Sequence, residues 1–392
     1  MENPKIRFKG FTKDWEQRKL GDVCSRVQGN DGRMKLPTLT ISAGNGWMRQ
    51  EDRFSGNIAG NEQKNYTLLH TGELSYNHGN SKLAKYGAVF SLRNYEEALV
   101  PRVYHSFRVE EGCADYIEYY FATKLPDREL RKLISSGARM DGLLNIGYDE
   151  FMGIKMMFPS IKEQNEIATY FRSLDHLITL HQRKCEQTKK LKKYMLQKMF
   201  PRNGAKVPEI RFYGFTYDWE QRKFSDIASR ESVSRESSYD LPSLEYEDVI
   251  AEEGRLNKDI SLKENIKKGI VFDGSQVLYG KLRPYLHNWL NPDFSGVAVG
   301  DWWVLKPNNA DKSFIYRLIQ TQRFDDIANQ SAGSKMPRAD WNLVSNTEFA
   351  IPVSQEEQEK IGEYFSSLDH LITLHQRQTD FYKKPNFYFI SS

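Results

Sequence analysis

Two segments of the chain combine basic, aromatic and amide side chains with a glycine, a composition suited to contacting nucleic acid bases. The first reads Tyr-Asn-His-Gly-Asn-Ser-Lys at 76–82, and the second reads Tyr-Gly-Lys-Leu-Arg-Pro-Tyr at 279–285. Arginine and lysine pair with guanine edges, and asparagine pairs with adenine edges. Ordinary surface turns remain the alternative interpretation. The candidate contact residues are Tyr76, Asn77, His78, Asn80, Lys82, Tyr279, Lys281, Arg283 and Tyr285.

A second pair of short segments has matching chemistry in the two halves of the chain. Residues 137–140 read Gly-Ala-Arg-Met, and residues 333–336 read Gly-Ser-Lys-Met. A glycine-containing loop with one basic side chain is suited to a phosphate contact, which positions a protein on DNA without reading sequence. These loops add Arg139 and Lys335 as candidates, and isolated basic residues add Arg102 and Arg338.

Sequence motifs for catalysis are missing from the chain. It has no GxxxxGK[ST] phosphate loop, no HExxH zinc motif and no GxSxG nucleophile elbow. Acidic residues such as Glu73 or Asp273, taken with Lys281, are the nearest approach to a nuclease site and leave a standalone nuclease as an alternative. The three cysteines form no CxxC pair, so we predict no metal site. We predict a chain that is not itself an enzyme.

Composition and charge place few limits on function. The net charge of +4 is weakly basic, and eight basic residues with one acid lie between 183 and 202. Eight acids with one base lie between 231 and 253. These runs suggest separate faces for DNA and for a protein partner, although solvated surfaces explain both equally well. The chain has no long apolar stretch and no signal-like N-terminus, so we expect a cytoplasmic protein without membrane contact.

The chain is an internal repeat. Residues 6–19 and 210–223 are identical at twelve of fourteen positions, and residues 173–183 and 367–377 are identical throughout. The offsets are 204 and 194, whereas residues 24–135 and 228–330 share almost nothing by eye. A duplicated frame with two different inserts indicates two related but distinct recognition tasks.

Each copy of the frame ends in a predicted long helix. Apolar residues recur at steps of four and three, which is a heptad pattern, and the first helix would span roughly 55 Å at 1.5 Å per residue. Pairing of the two helices explains the identical seams, and two separate core helices are the alternative. His181 and His375 fall on the seams and are interpreted as buried polar residues that set register, with a metal or pH switch as the alternative. The predicted seam residues are Ile167, Phe171, Leu174, Ile178, His181, Ile361, Phe365, Leu368, Ile372 and His375.

The repeated motifs resemble those of a known family. The Gly-Phe-Thr-x-Asp-Trp-Glu-Gln-Arg-Lys block, the proline that precedes Glu-Gln at the start of each helix, and the Ser-Leu-Asp-His-Leu-Ile-Thr-Leu-His-Gln-Arg block occur twice. All three look like those of type I restriction–modification specificity subunits, and the resemblance covers the whole chain.

This resemblance implies an α+β fold. Two mixed α/β target-recognition domains would be separated by two long antiparallel coiled-coil helices, in a tandem duplication with pseudo-two-fold symmetry. The predicted domains are target-recognition domain 1 at 1–160, spacer helix 1 at 161–201, target-recognition domain 2 at 202–353 and spacer helix 2 at 354–392.

The resemblance also implies a function and a set of partners. Each recognition domain would read one half of a bipartite, asymmetric site in double-stranded DNA. The helices would dock two methyltransferase subunits, which bind S-adenosylmethionine, and the full complex would add restriction subunits that use ATP and Mg. A non-catalytic DNA-binding adaptor of another DNA-modification system is the alternative.

One feature departs from the family pattern. The seam of the second helix is lost after Thr379, and Lys383-Lys384-Pro385 is expected to end the helix because proline cannot continue it. We therefore expect the second spacer helix to be shorter than the first.

Overall fold

The computed structural model describes residues 4, 6–54, 60–79, 81–134, 143–202, 204–263, 265–330 and 336–383. The chain divides into two compact units, one of residues 1–180 with 378–392 and the other of residues 181–377. In the part of the chain that is described, no helix is long and apolar enough to span a membrane.

Short strands and helices alternate in the first half of the chain. Its strands are β1 (Glu16–Lys19), β2 (Cys24–Arg26), β3 (Leu39–Ser42), β4 (Gly46–Arg49), β5 (Thr67–His70), β6 (Leu74–Asn77), β7 (Ala88–Ser91), β8 (Glu97–Val100), β9 (His105–Val109) and β10 (Lys155–Phe158). Its helices are α1 (Gln50–Phe54), α2 (Ala114–Ala122), α3 (Asp127–Leu133), α4 (Tyr148–Met152) and the long α5 (Ile161–Lys198).

The second half repeats this plan. Its strands are β11 (Glu220–Lys223), β12 (Ala228–Arg230), β13 (Ser234–Glu236), β14 (Ser243–Leu244), β15 (Val249–Ile250), β16 (Arg255–Leu256), β17 (Lys268–Phe272), β18 (Val277–Gly280), β19 (Trp289–Leu290), β20 (Gly296–Ala298), β21 (Trp302–Pro307) and β22 (Glu348–Ile351). Its helices are α6 (Phe224–Ile227), α7 (Lys312–Leu318), α8 (Gln322–Ala328), α9 (Trp341–Asn346) and α10 (Gln355–Lys383).

The two inserts contain the same central sheet despite their unlike sequences. The strand order is β2-β9-β6-β7 in the first half and β12-β21-β18-β19 in the second. The registers also agree, because Tyr76 pairs with His105 where Tyr279 pairs with Trp303. The mixed α+β prediction is confirmed, and the structure shows that the duplication extends through the inserts.

The identical sequence blocks form the frame of each unit. Strand β1 pairs with β10, and β11 pairs with β22. The Arg7 guanidinium binds the buried Glu163 carboxylate through two nitrogens, at 2.6 and 2.7 Å, and Arg211 binds Glu357 in the same way at 2.7 and 2.8 Å. The indole N–H of Trp219 also donates to Glu357. These contacts explain why the opening block and the Glu-Gln pair occur together.

Each heptad seam packs partly against the core of its own unit and partly, farther along, against the other long helix. Ile361, Phe365 and Leu368 lie in the hydrophobic core of the second unit, and Ile167 packs against the core of the first. The beginning of each helix therefore packs on the hydrophobic core of its own half of the chain, as the separate-helix interpretation requires.

Helix-to-helix contact is found farther along the seam, within the second unit. The Nδ1 atoms of His181 and His375 are 3.0 Å apart, the Cys185 thiol lies 3.9 Å from the Ile372 carbonyl, and Lys192 binds Asp369 at 2.7 Å. Partners on α10 move backwards as α5 advances, so the two helices are antiparallel in this unit.

The contact between His181 and His375 is expected to make the stability of the second unit depend on pH. Burial, followed by the nearby His181 and Lys184, lowers the pKa of His375. The unfolded chain then binds a proton more readily than the folded chain as the pH falls below about 6.5. We predict that His375 contributes a decrease in the free energy of unfolding as the pH falls from 7.5 to 5.5, so that His375→Gln shifts the change between these two pH values toward greater stability at the lower pH. Urea unfolding at both pH values tests it, and an unchanged pH difference in the variant would contradict it.

Candidate nucleic-acid interface

The second half brings three of its predicted basic residues onto one surface. The segment at Lys281–Arg283 pairs with the segment at 337–339, because Ala339 N donates to Lys281 O at 2.9 Å and Arg283 N donates to Pro337 O at 2.7 Å. An isolated bridge joins Leu282 and Arg338. The pairing therefore brings the backbone of residues more than fifty positions apart side by side.

A single carboxylate orients two of these cations. Asp301 accepts from Arg338 at 3.1 Å and lies 3.6 Å from the Lys281 ammonium. The Arg338 guanidinium, with Lys281 nearby, lowers the pKa of Asp301, so this carboxyl stays ionised at neutral pH. Ion pairing of this kind holds long side chains in one geometry, which favours directed hydrogen bonding over diffuse attraction.

Arg283 and Tyr285 lie on a sharp turn next to this pair. Arg283 and His287 have φ angles of 50° and 55°, a left-handed conformation that is uncommon outside glycine. Both the Arg283 and Tyr285 side chains are exposed. The turn therefore projects a guanidinium and an aromatic ring from the end of β18, where they are available to a ligand.

Three predicted contact residues are wrong because their side chains are buried. Tyr76 is fully buried, stacks on Phe151 with 4.3 Å between ring centroids, and donates its hydroxyl to the Tyr86 carbonyl at 2.7 Å. Tyr279 occupies the matching core position in β18. His78 is buried with its ring nitrogens 2.7 and 2.8 Å from the carbonyls of Leu144 and Val103. These residues pack in the core beneath the loop surface and are not exposed to a ligand.

The Asn77 side chain also makes hydrogen bonds within the protein. Its side chain donates to the Ile41 carbonyl at 3.2 Å and accepts from Gly79 N at 3.0 Å, which shapes the turn after β6. Lys82 and Arg102 are exposed and keep their candidate role. Asn80, Arg139 and Lys335 lie outside the described residues.

The first half builds its loop in the same manner as the second. Leu144 N donates to His78 O at 2.8 Å, and a bridge joins Gly79 to Leu143. The end of β6 thus meets the segment before α4, just as the end of β18 meets the segment before α9. The two loops share a position in the fold and differ in chemistry.

A repeated arginine–aromatic pair was missed by the sequence analysis. The Arg26 guanidinium carbon lies 4.4 Å from the ring centroid of Tyr148, and that of Arg230 lies 4.7 Å from Trp341. Each aromatic ring begins the helix that follows the loop partner segment. Both arginines are exposed at the end of an equivalent strand, so each carries a fixed positive charge on the same face of its unit.

The edge-on ring contacts beneath these pairs are also repeated. His105 meets Tyr148 at 5.7 Å, and Trp303 meets Trp341 at 5.2 Å. A signal for the arginines was present in the sequence, since Ser25-Arg26 and Ser229-Arg230 are identical pairs at the offset of 204 that relates the opening blocks. Two matching residues inside otherwise dissimilar inserts are easily overlooked.

The acidic residues considered for nuclease chemistry have structural partners. The Asp273 carboxylate accepts from Ser275 at 2.7 Å, and Glu73 is buried with Arg108 at 3.3 Å. Lys281 lies 3.6 Å from the Asp301 carboxylate. Across the described ranges, no group of three His, Cys, Asp or Glu side chains is arranged to hold a metal ion.

Comparison with known proteins decides the family. The model of the type I restriction modification DNA specificity domain matches residues 12–190 and again residues 217–380. The chain belongs to this family. The two matches coincide with the two copies of the frame, which agrees with the duplication read from the sequence.

The similarity to an individual curated relative is low. The chain is 22% identical over 289 residues to the type I restriction enzyme MjaVIII specificity subunit of Methanocaldococcus jannaschii, an alignment that covers 68% of this chain and 66% of that relative. The match thus spans slightly less than two thirds of the relative.

A solved structure supports the fold. The type I restriction–modification S subunit from M. genitalium matches with a TM-score of 0.63 and 13% identity over 100% of both chains. The HsdS subunit from Thermoanaerobacter tengcongensis matches with a TM-score of 0.45 and 11% identity, covering 97% of this chain and 96% of that one, a score too low to establish a shared fold.

Proposed function

We propose that the chain is the DNA sequence-specificity subunit of a type I restriction–modification complex and is not itself catalytic. Residues 1–160 and 202–353 would each read one half of a bipartite, asymmetric site. The observation that carries this proposal is that one sheet topology presents two loops of different chemistry at the same place. A duplicated catalytic domain would be expected to keep its reactive residues in both copies. A protein that recognises two different half-sites instead needs a common scaffold with different contact residues.

The interface separates into positions that the two halves share and positions at which they differ. Arg26 and Arg230 are shared, and a fixed cation common to both domains suits the phosphate backbone, which is the same at every sequence. Lys281 and Arg283 have no counterparts of the same type after β6, where His78 and Asn80 stand in the sequence. Differences of this kind suit base edges.

The partners of the complex follow from the same proposal. The long helices α5 and α10 would set the spacing of the two half-sites and dock two methyltransferase subunits that bind S-adenosylmethionine. Restriction subunits using ATP and Mg would complete the assembly in the cytoplasm. Half-sites read from adjacent major grooves would lie about one helical turn, roughly 10 bp, apart.

Methylome sequencing of cells with and without the chain tests the proposed function. A single split, asymmetric sequence should be methylated only when the chain and its methyltransferase partner are both present. Methylation that persists without the chain would contradict the proposal. Methyl transfer or DNA cleavage by the purified chain alone would instead favour a standalone enzyme.

The cations after β18 should govern one half-site only. We predict that Lys281→Ala or Arg283→Ala weakens binding to the cognate site by about 1–3 kcal/mol for each lost base contact. The penalty should disappear when the corresponding half-site is scrambled, since the contact is then already lost. Competition binding with sites scrambled in either half measures this. Equal weakening on every sequence would show that these residues contact phosphate.

The shared arginines should behave in the opposite way. We predict that Arg26→Ala and Arg230→Ala weaken binding to cognate and scrambled DNA alike, and that each reduces the salt slope of log K by about 1 because one phosphate contact is lost. Titrations at several salt concentrations provide the measurement. A variant that changes the preferred sequence without altering the salt slope would contradict this role.

A further inference from the structure

His78 lies at the end of β6, and its side chain is buried between two other segments of the first unit. Its Nδ1 atom is 2.7 Å from the carbonyl oxygen of Leu144, in the segment before α4. Its Nε2 atom is 2.8 Å from the carbonyl oxygen of Val103, in the turn before β9. The ring therefore connects three segments that are distant in the sequence.

Both ring nitrogens of His78 face groups that can only accept a hydrogen bond. A neutral imidazole has one N–H donor and presents a lone pair on its other nitrogen, whereas the imidazolium cation donates from both nitrogens. A lone pair held 2.7 or 2.8 Å from a carbonyl oxygen is repelled by it, and a buried carbonyl without a donor costs free energy. The imidazolium form of His78 satisfies this geometry, and neither neutral tautomer does.

A second histidine, on β9, is stacked on this ring and is neutral. The centroids of His78 and His105 are 4.9 Å apart with an angle of 10° between the rings. The Nε2 atom of His105 is 2.8 Å from the Ile146 carbonyl oxygen. Burial lowers the pKa of His105, and the charges of His78 and Arg26 lower it further. The positive charge of the stacked pair therefore resides on His78.

Other charged or titratable groups among the described residues surround the pair. Tyr76 and Tyr148 contact the two rings, Asp127 acts on Tyr76, and Arg102 adjoins Val103 in the turn. Arg102, like Arg26, disfavours a positive charge here, whereas Asp127 favours it. The hydrogen bonds to the two carbonyl oxygens therefore decide the charge of His78.

The second unit has a pair of charged side chains at the two matching positions. His78 matches Lys281, since each lies two residues beyond the paired tyrosine of its strand. Val103 matches Asp301 by the same registers, and the Lys281 ammonium is 3.6 Å from the Asp301 carboxylate. The backbone bond from the residue at 78 or 281 to the segment before the next helix is also repeated. Both units thus place a cationic side chain between the end of a strand and the turn before the neighbouring strand.

We propose that the protonated His78 side chain positions the loop after β6 for recognition of the first half-site, as the Lys281–Asp301 ion pair positions the loop after β18. The proposal rests on the proposed function, because it takes the loop after β6 to contact DNA. His78 is buried and acts through exposed side chains that follow it, such as Lys82. Histidine changes charge between about pH 5 and 8, whereas an ammonium and a carboxylate keep theirs. The two half-sites therefore differ in their response to pH.

Competition binding by the full chain with its methyltransferase partner tests this difference at about pH 6 and about pH 8.5. Preference for the cognate site over a site scrambled in its first half should fall roughly tenfold at the higher pH, as expected for loss of one hydrogen bond to a buried group. Preference over a site scrambled in its second half should not change. An equal change at both halves, or a change at neither, would overturn the proposal.

Variants at position 78 separate the charge of the side chain from its shape. His78→Lys supplies a cation that does not titrate in this range, so it should keep the preference for the first half-site at both pH values. His78→Phe keeps a ring without donors and should show the lower preference at both. The matched control is His70→Gln, which changes a side chain that is 56% exposed and should retain the pH dependence. Persistence of the pH dependence in His78→Lys would contradict the role of His78.

Nitrogen NMR of the full chain with labelled histidine measures the charge of His78 without DNA. At about pH 6 both ring nitrogens of His78 should carry protons, whereas His105 should carry one on Nε2 alone. The spectrum of His78→Phe identifies the His78 signals by their loss. A neutral His78 at this pH would overturn the proposal. A charged His78 in a chain that prefers no sequence at any pH would instead show that the proposed function is wrong.

Discussion

A chain that carries residues 24–135 in place of residues 228–330 should direct methylation to a site made of two copies of the first half-site. The replacement is structurally reasonable because both inserts contain a four-stranded sheet of the same order, closed by the same paired strands of the frame. Binding to the original site should weaken by about 2–5 kcal/mol, roughly half of the usual advantage of specific over non-specific DNA binding. Methylome sequencing reads the new site directly.

The reciprocal replacement is the matched control. A chain with residues 228–330 in both halves should methylate two copies of the second half-site. If either hybrid is folded and active but still methylates the original asymmetric sequence, the inserts do not determine specificity. Circular dichroism and assembly with the methyltransferase partner distinguish that result from misfolding.

Replacement of Arg211 by alanine should destabilise the second unit by about 3–5 kcal/mol, because a buried carboxylate loses its charge partner. Glu357 is 1% exposed, and Arg211 binds both of its oxygens. The remaining N–H donor from Trp219 cannot neutralise the charge. Denaturant unfolding followed by tryptophan fluorescence suits this unit, since five of the seven tryptophans lie in the second half.

Two control variants test whether burial of the carboxylate causes the loss of stability. Arg7→Ala removes the equivalent partner of Glu163 and should cost a similar amount in the first unit. Arg18→Ala removes the partner of Glu111, whose side chain is 57% exposed, and should cost less than about 1 kcal/mol. If the Arg18 and Arg211 variants lose equal stability, burial does not make the Arg211–Glu357 ion pair more important than an exposed one.

The sequence by itself determined the architecture of the frame. Two repeated blocks, at offsets of 204 and 194, predicted two copies of one unit, and the heptad steps predicted the two long helices. Repetition and periodicity are local properties of a chain, so they can be read without coordinates. The ion pair of Arg7 with Glu163 explains why the blocks recur together, although no local pattern pairs residues that are 156 positions apart.

The division of the helix seams required the tertiary structure. A heptad pattern shows that one face is apolar but does not identify what covers that face. Ile361 and Phe365 pack on the domain core, whereas His375 meets His181 on the other helix. The two interpretations of the seam, which the sequence left as alternatives, both apply to different stretches.

The roles of individual loop residues were likewise decided only by the fold. Side chains alternate between the two faces of a strand, and neighbouring residues in a polar segment therefore separate into core and surface. Tyr76 and Tyr279 faced inward, while Arg283 was placed outward by a turn with positive φ. Backbone pairing between distant segments brings Arg338 next to Lys281. Arg26 and Arg230 form a repeated pair because they end equivalent strands in sheets of the same strand order. Long-range backbone pairing sets these relationships, because contacts between distant segments depend on strand order and register, neither of which is encoded in the local pattern.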